Sequence, residues 1–344
     1  MIWGMNDADI VLPIRPAVEL TPRGLRLRAP AKINLNLLVG ARRADGFHSL
    51  DSLFATVTLY DELELTRRDD GRIGFSCLGA DCGSDDKNLA LRAARLLAGE
   101  ALAGRVGGNP GVEIGLVKNI PPGKGLGGGS SDAAAVLAGL NQLWRLGLPR
   151  ERLIELAARL GSDVPLFLGP PAGRMTGRGE VVQPVGIHPF VAVLILPDEA
   201  TSTAEVYRAF DEVASERQAG HRQKSAGPNP AEPAGEADLA GRQLDAAMIH
   251  RRPPSQWRAL LRNDLFAPAC RVCPALGQLH GRLSAASDIP VCLTGSGSAM
   301  FIPCDDVAEA GRWKKGTDTF FKQRKRSQSP FSEGLARAVL VRSL

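Results

Sequence analysis

The chain has 344 residues, which is long enough for two ordinary domains with a hydrophobic core each. Apolar residues make up 44% of it and charged residues 23%, proportions that exclude a disordered or fibrous protein. Its formal net charge of +5 suits an anionic ligand, but an excess this small does not indicate a nucleic-acid partner.

The sequence shows no feature of a membrane or secreted protein. Its best apolar run, residues 190–196, is far shorter than the roughly 20 residues that a membrane-spanning helix requires. Asp7 and Asp9 lie near the start, where a secretory signal would have a basic segment followed by a long apolar one. We therefore expect a cytoplasmic protein without membrane contact.

The six cysteines are spread thinly along the chain, unlike those of a small disulfide-stabilised scaffold. Cys270 and Cys273 form a CxxC pair, but a zinc site would need a second pair at similar spacing, which the sequence lacks. We interpret these two residues as reduced thiols on a helix.

The predicted elements begin near Leu25, after a loose extension of residues 1–23 that three prolines interrupt. Residues 32–39 predict a strand with one apolar face, made of Ile33, Leu35, Leu37 and Val39, and a face with the polar residues Lys32, Asn34 and Asn36. The next predicted elements, in chain order, are a strand over 53–65, a helix over 88–102, a strand over 112–117, an amphipathic helix over 131–145 and a helix over 150–160 that Gly161 ends.

The second half of the chain is predicted to open with a buried strand over 190–196, which is a continuous apolar run. Residues 213–255 are rich in Ala, Gly, Pro, Gln and Glu and cannot bury a core, so we interpret them as a flexible surface insertion. The basic and polar residues 314–329 are interpreted as a solvated face, with an RNA contact as the less favoured alternative.

A glycine-rich loop over 121–131 leads directly into the first amphipathic helix. Five glycines lie between Gly123 and Gly129. Since glycine lacks Cβ and tolerates φ > 0, successive backbone N–H groups can point into one concavity. The free N–H groups and the positive dipole end of the helix add to them, so the segment predicts an anion site. Ser130 and Ser131 can cap the helix or reach a phosphate or its metal.

Three other interpretations of this loop are disfavoured. Flexible Gly-Ser linkers do not usually run straight into a well-formed amphipathic helix. Gly123, Gly125 and Gly128 satisfy the dinucleotide pattern GxGxxG, but a second helix follows where that fold needs a parallel strand. A Walker-type loop would end in Gly-Lys-Ser or Gly-Lys-Thr, whereas this loop ends in Gly-Ser-Ser. A phosphate loop of another kind remains.

The loop sequence PPGKGLGGGSSDAA resembles the phosphate loop of the GHMP small-molecule kinases. Three further segments agree with that family in the same order: APAKINLNLLVGARRADGFHSLDSLF, LGSDVPLFL and LTGSGSAMF. The resemblance extends over about residues 25–303, apart from the insertion. The first of these segments resembles the branch of the family whose acceptor is an alcohol linked to cytidine diphosphate.

The resemblance implies a two-domain α/β fold of the α+β type. A ribosomal-protein-like domain over 24–187 would pack on a ferredoxin-like domain over 188–344, with the active site in the cleft between them. The implied reaction transfers the γ-phosphoryl group of ATP to the 2-hydroxyl of a diphosphocytidyl polyol in isoprenoid-precursor synthesis. The implied cofactors are ATP and Mg²⁺, and the expected partner is this small-molecule substrate.

Two residues are implied to be catalytic. Pattern alone would make Asp163 a helix N-cap before Pro165, but its place in the family motif implies the carboxylate that takes the proton from the attacking hydroxyl. Lys32 would otherwise be a surface lysine, and the resemblance places it beside Asp163, where its charge can orient the carboxylate. Asn34 shares the polar face of the same strand and is expected to bind the substrate.

The other substrate contacts are implied to come from Phe47, His48, Thr203, Gly295 and Gly297. Phe47 and His48 occupy the cytosine-binding loop of the family. Phe47 stands where the family usually has tyrosine, which keeps ring stacking but loses a phenolic hydrogen bond. Thr203 matches a family threonine near the substrate, although most threonines in such a place are turn residues. The two glycines lie in a motif that a plain structural turn would also explain.

The residues implied to bind ATP are those of the loop, namely Pro121, Pro122, Gly123, Lys124, Gly125, Leu126, Gly127, Gly128, Gly129, Ser130 and Ser131. Many family members have a small residue where this chain has Lys124. Its ammonium group could neutralise charge on a β- or γ-phosphate or simply extend into water, and we hypothesise a modest phosphate contact. Ser130 is the candidate Mg²⁺ ligand.

Two rival functions remain at this stage. One is another GHMP sugar or alcohol kinase, which the cytosine loop at Phe47 and His48 argues against. The other is a catalytically dead nucleotide-binding module, which the presence of Lys32, Asp163 and the full glycine loop argues against.

Overall fold

The computed structural model describes residues 18–79, 82, 87–103, 111–224, 246–257, 260–285, 291–326 and 337–344. Residues 1–17 of the predicted extension, 225–245 of the predicted insertion and 327–329 of the basic stretch lie outside these ranges. Within the described part of the chain, two sheets and the helices around them form the fold.

The first sheet is built on a strand of 21 residues, β4 (His48–Arg68). The other strands of this sheet are β1 (Val18–Thr21), β2 (Gly24–Asn34), β3 (Leu38–Arg42), β5 (Ile73–Gly79), β6 (Gly111–Lys118), β7 (Ala172–Gly177) and β8 (Val181–Pro184). Strand β4 is antiparallel to β2, β3, β6 and β7, while β5 runs parallel to β6. Strand β4 therefore pairs both with β6, which leads into the phosphate loop, and with β3, which leads into the predicted cytosine loop.

Helix α2 (Gly128–Leu143) packs on β2 and β4 of this sheet. Helices α1 (Leu89–Ala103) and α3 (Arg150–Leu160) and a short 3₁₀ helix (Pro165–Leu168) pack against α2. Residues 131–140 of α2 are buried on every side. From Ala133 to Leu140 this enclosed segment has only apolar residues and Gly139, so it lacks the polar face of the amphipathic helix that the sequence predicted.

The second sheet is wholly antiparallel, in the order β10 (Cys292–Leu293), β11 (Met300–Cys304), β9 (Val191–Leu196) and β12 (Arg337–Arg342). All six residues of β9 are buried, which explains the continuous apolar run. The helices of this half are α4 (Thr203–Lys224), α5 (Ala246–Arg251), α6 (Phe266–Val272), α7 (Pro274–Ala285) and α8 (Val307–Arg326).

The two sheets share one hydrophobic cluster. Ile33 of β2 lies in it together with Leu194 of β9, Phe301 of β11 and the fully buried Trp257. A bridge between Val57 of β4 and Ser343 adds backbone pairing at the same junction. The sheets therefore pack on each other directly, and the boundary we expected at 187/188 falls between β8 and β9.

Several predicted elements are confirmed. The strands over 53–65 and 112–117 lie within β4 and β6, and the helix over 88–102 corresponds to α1. Helix α3 has the predicted bounds, and Gly161 is its C-cap. These segments have complete apolar periodicity and clear end signals, so their local sequence was sufficient.

Other expectations are wrong. The strand over 32–39 is broken, because β2 ends at Asn34 and the Asn36 side chain accepts the backbone N–H of Leu53 in place of a ladder bond (Asn36 Oδ1 to Leu53 N, 2.6 Å). Residues 18–21 of the supposedly loose extension pair with β2. Helix α2 starts three residues earlier than expected, and α4 continues to Lys224, inside the proposed insertion, whose Gly and Pro cluster starts only at Gly227.

Gly139 in α2 allows the helix to lie close to the sheet. A Cβ atom there would lie 2.6 Å from the Cδ1 atoms of Leu27 and Leu65. We expect Gly139→Val to lower the free energy of unfolding by about 1–3 kcal/mol, since the branched side chain would push helix and sheet apart. Urea unfolding followed by circular dichroism measures the effect.

The matched control is Gly311→Ala in α8, where an added Cβ meets open space. This variant should be as stable as the wild type or up to about 1 kcal/mol more stable, because alanine is the better helix former. Equal stabilities for Gly139→Val and the wild type would contradict the close packing of α2.

Candidate active site

Residues from both halves of the chain line a cleft of about 1040 Å³. Its walls include the glycine loop, the end of β2, the loop between β3 and β4, helix α4 and the turn at Gly295. A cleft of this size accommodates a nucleotide and a second substrate.

The glycine loop forms one wall. Gly123, Gly125 and Gly127 have φ angles of +68°, +73° and +70°, a left-handed conformation that side chains with Cβ rarely adopt. Gly127 is the N-cap residue of α2, so the free backbone N–H groups of the first helical turn follow the loop directly. The loop is held to β2 by a hydrogen bond from Lys32 N to Leu126 O of 2.9 Å.

A buried charge cluster joins the two ends of this loop. Lys118, the last residue of β6, donates from Nζ to Asp61 on β4 and to Asp132 Oδ2 on α2, the latter at 2.7 Å. Asp61 Oδ1 also accepts the backbone N–H groups of Asn119 and Ile120, each at 2.7 Å. The segment entering the loop and the helix leaving it are therefore tied to one ammonium group.

The charges of this cluster do not balance, since one lysine faces two carboxylates. Asp132 Oδ1 is buried and has no hydrogen-bond partner among the described residues, and the same is true of the neighbouring Ser131 hydroxyl. Burial raises the pKa of Asp132 to about 7; Lys118 opposes this rise and the Asp61 carboxylate adds to it.

Lys32 and Asp163, the predicted catalytic pair, lie together in the cleft. Lys32 Nζ is 3.8 Å from Asp163 Oδ2 and donates a hydrogen bond of 2.5 Å to Asn34 Oδ1. Burial lowers the pKa of Lys32, and the charge of Asp163 partly restores it. The Asp163 side chain is 35% exposed, so its carboxylate can reach a bound substrate.

The predicted cytosine loop lies against α4. His48 Nε2 is 3.1 Å from Asp211 Oδ1, and His48 Nδ1 is 2.9 Å from Gly40 O. The His48 ring stacks on Tyr207 with 5.5 Å between centroids. Phe47 is half exposed, and the Arg178 guanidinium carbon lies 4.9 Å from the centroid of its ring.

Contacts connect the two ends of the cleft. The side chain of Lys32 borders the glycine loop, where a Cβ added at Gly127 would lie 3.2 Å from Lys32 Cγ. Asp163 is next to Lys32, and burial, to which the charge of Asp163 adds, raises the pKa of Tyr207, which stacks on His48. An anion site, a lysine–carboxylate pair and an aromatic site therefore follow one another along a single cleft.

Two of the predicted site residues are not among those that line the cleft. The Ser131 hydroxyl is buried in the first turn of α2, and Gly297 packs beneath the turn, where an added Cβ would lie 3.4 Å from Thr201 Oγ1. Thr203 lines the cleft and shares a hydrogen bond of 2.9 Å with the Ser296 hydroxyl.

The ammonium group of Lys124 is not free to extend into water. It donates to the backbone carbonyl oxygens of Asp198 and Glu199, at 2.8 and 2.7 Å, and Lys124 is only 6% exposed. These carbonyl groups hold Lys124 in the wall of the cleft, and its contact with a phosphate stays a prediction.

Several residues of the cleft were not predicted from the sequence, among them Lys118, Arg178, Tyr207 and Asp211. Tyr207 and Asp211 could have been predicted, because they follow Thr203 at the i+4 and i+8 positions of one helix face. Lys118 lies three positions before Pro121, the first residue of the loop, and is the one lysine of its strand, so the sequence did offer a signal for it. Arg178 lies in the turn between β7 and β8, and its position depends on the pairing of distant strands.

Comparisons with known proteins agree with this geometry. A family model described as the GHMP kinases N terminal domain matches residues 88–169. The 4-diphosphocytidyl-2-C-methyl-D-erythritol kinase of Desulfotalea psychrophila is 39% identical over 279 residues, which cover 80% of this chain and 84% of the relative. The enzyme of the same name from Salinispora tropica is 38% identical over 298 residues, covering 85% and 88%.

Solved structures give the same result. A crystal structure of 4-(cytidine 5'-diphospho)-2C-methyl-D-erythritol kinase superposes with a TM-score of 0.66 at 33% identity, covering 93% of this chain and 99% of that one. Mevalonate kinase of L. major superposes with a TM-score of 0.62 over 95% and 97% of the two chains, and its 14% identity shows the fold alone.

The two-sheet fold and the matched domain define a kinase of the GHMP class. Within that class, the chain belongs to the 4-diphosphocytidyl-2-C-methyl-D-erythritol kinase family.

The unbalanced cluster predicts a pH effect on stability. A carboxyl whose pKa rises on folding binds more protons in the folded than in the unfolded protein, here between about pH 4 and pH 7. The wild type should therefore lose stability, relative to Asp132→Asn, as the pH is raised through this window. Urea unfolding of both proteins at several pH values measures the difference.

Asp61→Asn is the comparison variant for Asp132→Asn. Its carboxylate has three donors, from Lys118, Asn119 and Ile120, and we expect its loss to destabilise the protein by about 3–5 kcal/mol at neutral pH. Parallel stability–pH curves for Asp132→Asn and the wild type would show that the carboxyl at 132 does not change its proton affinity on folding.

Proposed function

We propose that this protein phosphorylates the 2-hydroxyl of 4-diphosphocytidyl-2-C-methyl-D-erythritol with ATP, giving ADP and the 2-phosphate, in non-mevalonate isoprenoid-precursor synthesis. The observation that carries the proposal is the Lys32–Asp163 pair, which separates the glycine loop from the aromatic site in one cleft. The names of the relatives support the choice of substrate.

Asp163 acts as the general base. Its partly exposed carboxylate takes the proton from the 2-hydroxyl as that oxygen attacks the γ-phosphorus. The bond between the γ-phosphorus and the β–γ bridging oxygen breaks, and ADP leaves with the bonding electron pair. Lys32 fixes the carboxylate by its charge, and Asn34 holds the Lys32 ammonium in place through its side-chain carbonyl.

The glycine loop binds the triphosphate. Its backbone N–H groups and the N-terminal turn of α2 supply hydrogen-bond donors and positive potential, and Lys32 adds positive charge at the border of the loop. Mg²⁺ favours hard oxygen ligands and substrate phosphates, and the Ser130 hydroxyl that lines the cleft fits this preference. When bound there, the ion neutralises charge on the β- and γ-phosphates.

The cytidine end of the acceptor binds at the aromatic site. Phe47 presents a half-exposed ring for stacking, while His48 and Asp211 offer polar groups beside Tyr207. Arg178 and Arg42 line the same end of the cleft and supply positive charge for the diphosphate. We infer a cytoplasmic location for this reaction, where ATP is available, and a small-molecule partner without nucleic acid.

The proposed base gives the first test. Asp163→Asn keeps the shape of the side chain but cannot accept the proton, so we expect turnover to fall on the order of 10²–10⁴-fold with the dissociation constant of the acceptor largely retained. ADP release in a coupled assay measures turnover, and calorimetry measures binding.

Asp69→Asn is the matched control, since the Asp69 side chain is fully exposed on the far turn after β4. Its activity should equal that of the wild type. Near-normal turnover of a folded Asp163→Asn protein would remove Asp163 from the mechanism. Mevalonate, homoserine and galactose, offered in place of the cytidine compound, test the acceptor class.

The aromatic site gives a second test. Phe47→Ala removes the exposed stacking surface, and stacking of one base on an aromatic ring contributes roughly 1–3 kcal/mol. We expect the Michaelis constant for the acceptor to rise about 5–150-fold, with that for ATP unchanged. Steady-state kinetics with each substrate varied in turn provides the measurement. An equal rise in both Michaelis constants would contradict a specific role of Phe47 in binding the acceptor.

A further inference from the structure

Three segments meet around the buried ammonium group of Lys124. The first is the glycine loop itself, the second is the connection from β9 to α4 at residues 198–203, and the third is the glycine turn at residues 294–299. Lys124 Nζ donates to Asp198 O and Glu199 O of the second segment, and Lys124 O accepts a 3.2 Å hydrogen bond from Ala299 N of the third. Lys124 thus connects the glycine loop to both the second and the third segment.

The second and third segments are also joined to each other. The Ser298 hydroxyl donates to Glu199 O, the same carbonyl oxygen that Lys124 contacts. Thr201 Oγ1 donates to Ser296 O at 3.0 Å, and Thr203 Oγ1 shares a hydrogen bond with Ser296 Oγ. These bonds hold the start of α4, the helix that carries Tyr207 and Asp211 to the aromatic site.

The loop and the turn are in backbone contact at this point. A Cβ atom on Gly125 would lie 2.4 Å from Thr294 O, and one on Gly295 would lie 2.8 Å from Gly125 O. The glycine loop and the glycine turn are so close that the Lys124 side chain cannot lie between them. This side chain instead extends toward the carbonyl groups of residues 198 and 199.

We propose that Lys124 is a positioning residue that fixes the glycine loop against the start of α4, and so aligns the ATP site with the acceptor site. The proposal rests on the proposed function for the identity of the two substrates. Two of the three ammonium N–H groups are used by backbone carbonyls, and hydrogen bonds from a charged donor are about twice as strong as neutral ones. Lys124 acts through the loop and the helix it joins and makes no phosphate contact.

The test separates a positioning role from a phosphate contact. Lys124→Met keeps the length of the side chain and removes its donors. We expect the dissociation constants of both ADP and the cytidine substrate to rise at least about tenfold, roughly the loss of one charge-assisted hydrogen bond. A phosphate ligand would affect ADP alone. Calorimetry measures both constants without any need for turnover.

Ser298→Ala provides a second, smaller change at the same carbonyl oxygen. It should weaken both ligands in the same direction, and its effect should not add to that of Lys124→Met, because both side chains donate to Glu199 O. Lys314→Met, which breaks only the Lys314–Asp318 pair on α8, is the matched control and should leave both constants unchanged.

The outcomes distinguish this proposal from the proposed function. Weakened binding of ADP alone in Lys124→Met, together with an unaltered Ser298→Ala protein, would overturn the positioning role in favour of a phosphate contact. Unchanged constants in both variants would overturn it outright. A wild type that binds ADP and the cytidine compound but never releases ADP would refute the reaction, while the binding constants would still test Lys124.

Discussion

The close approach of bare backbone at the glycine loop is the constraint on which the rest of the site depends. Gly125 touches the carbonyl of Thr294, and Gly127 lies so close to Phe167 that an added Cβ would be 2.9 Å from its ring. No residue with a side chain fits either position in this conformation. These contacts restrict the loop from two sides, and the lysine side chains around it add further restraints.

Three buried lysines surround this loop, and each has a different kind of partner. Lys32 faces a carboxylate and an amide oxygen, Lys118 faces two carboxylates, and Lys124 faces two backbone carbonyls. A buried ammonium group without partners would be strongly disfavoured, so each of these environments is specific. Lys118 holds the two ends of the loop and Lys124 holds its middle, while Lys32 connects the loop to Asp163.

This arrangement also relates the fold to the chemistry. Strand β4 supplies Asp61 near the loop and, at its beginning, His48 near α4, so one strand sets the distance between the two ends of the cleft. The second half of the chain contributes α4 and the glycine turn, which also line the cleft. Phosphoryl transfer needs two substrates held in line, and the cleft lined by residues of both halves has room for two.

Local patterns were sufficient for some elements and not for others. Helix α3 could be predicted with its bounds because its apolar period, the preceding Pro149 and the final Gly161 all agree. The strand over 32–39 had an equally regular pattern and was still wrong, because the Asn36 side chain bonds to Leu53 on another strand. Tyr207 and Asp211 had a helical spacing that could have revealed them, whereas nothing near Arg178 indicated that it would lie over Phe47.

The sequence alone determined the glycine loop, the helix that follows it and the family motifs, because these depend on residues that are adjacent in the chain. Only the tertiary structure decided what each charged side chain contacts. The sequence suggested a phosphate partner for Lys124, and the fold gave it carbonyl groups 74 and 75 residues away. Hydrogen bonds of buried ammonium groups depend on which segments meet in space, and that is set by the packing of the whole chain.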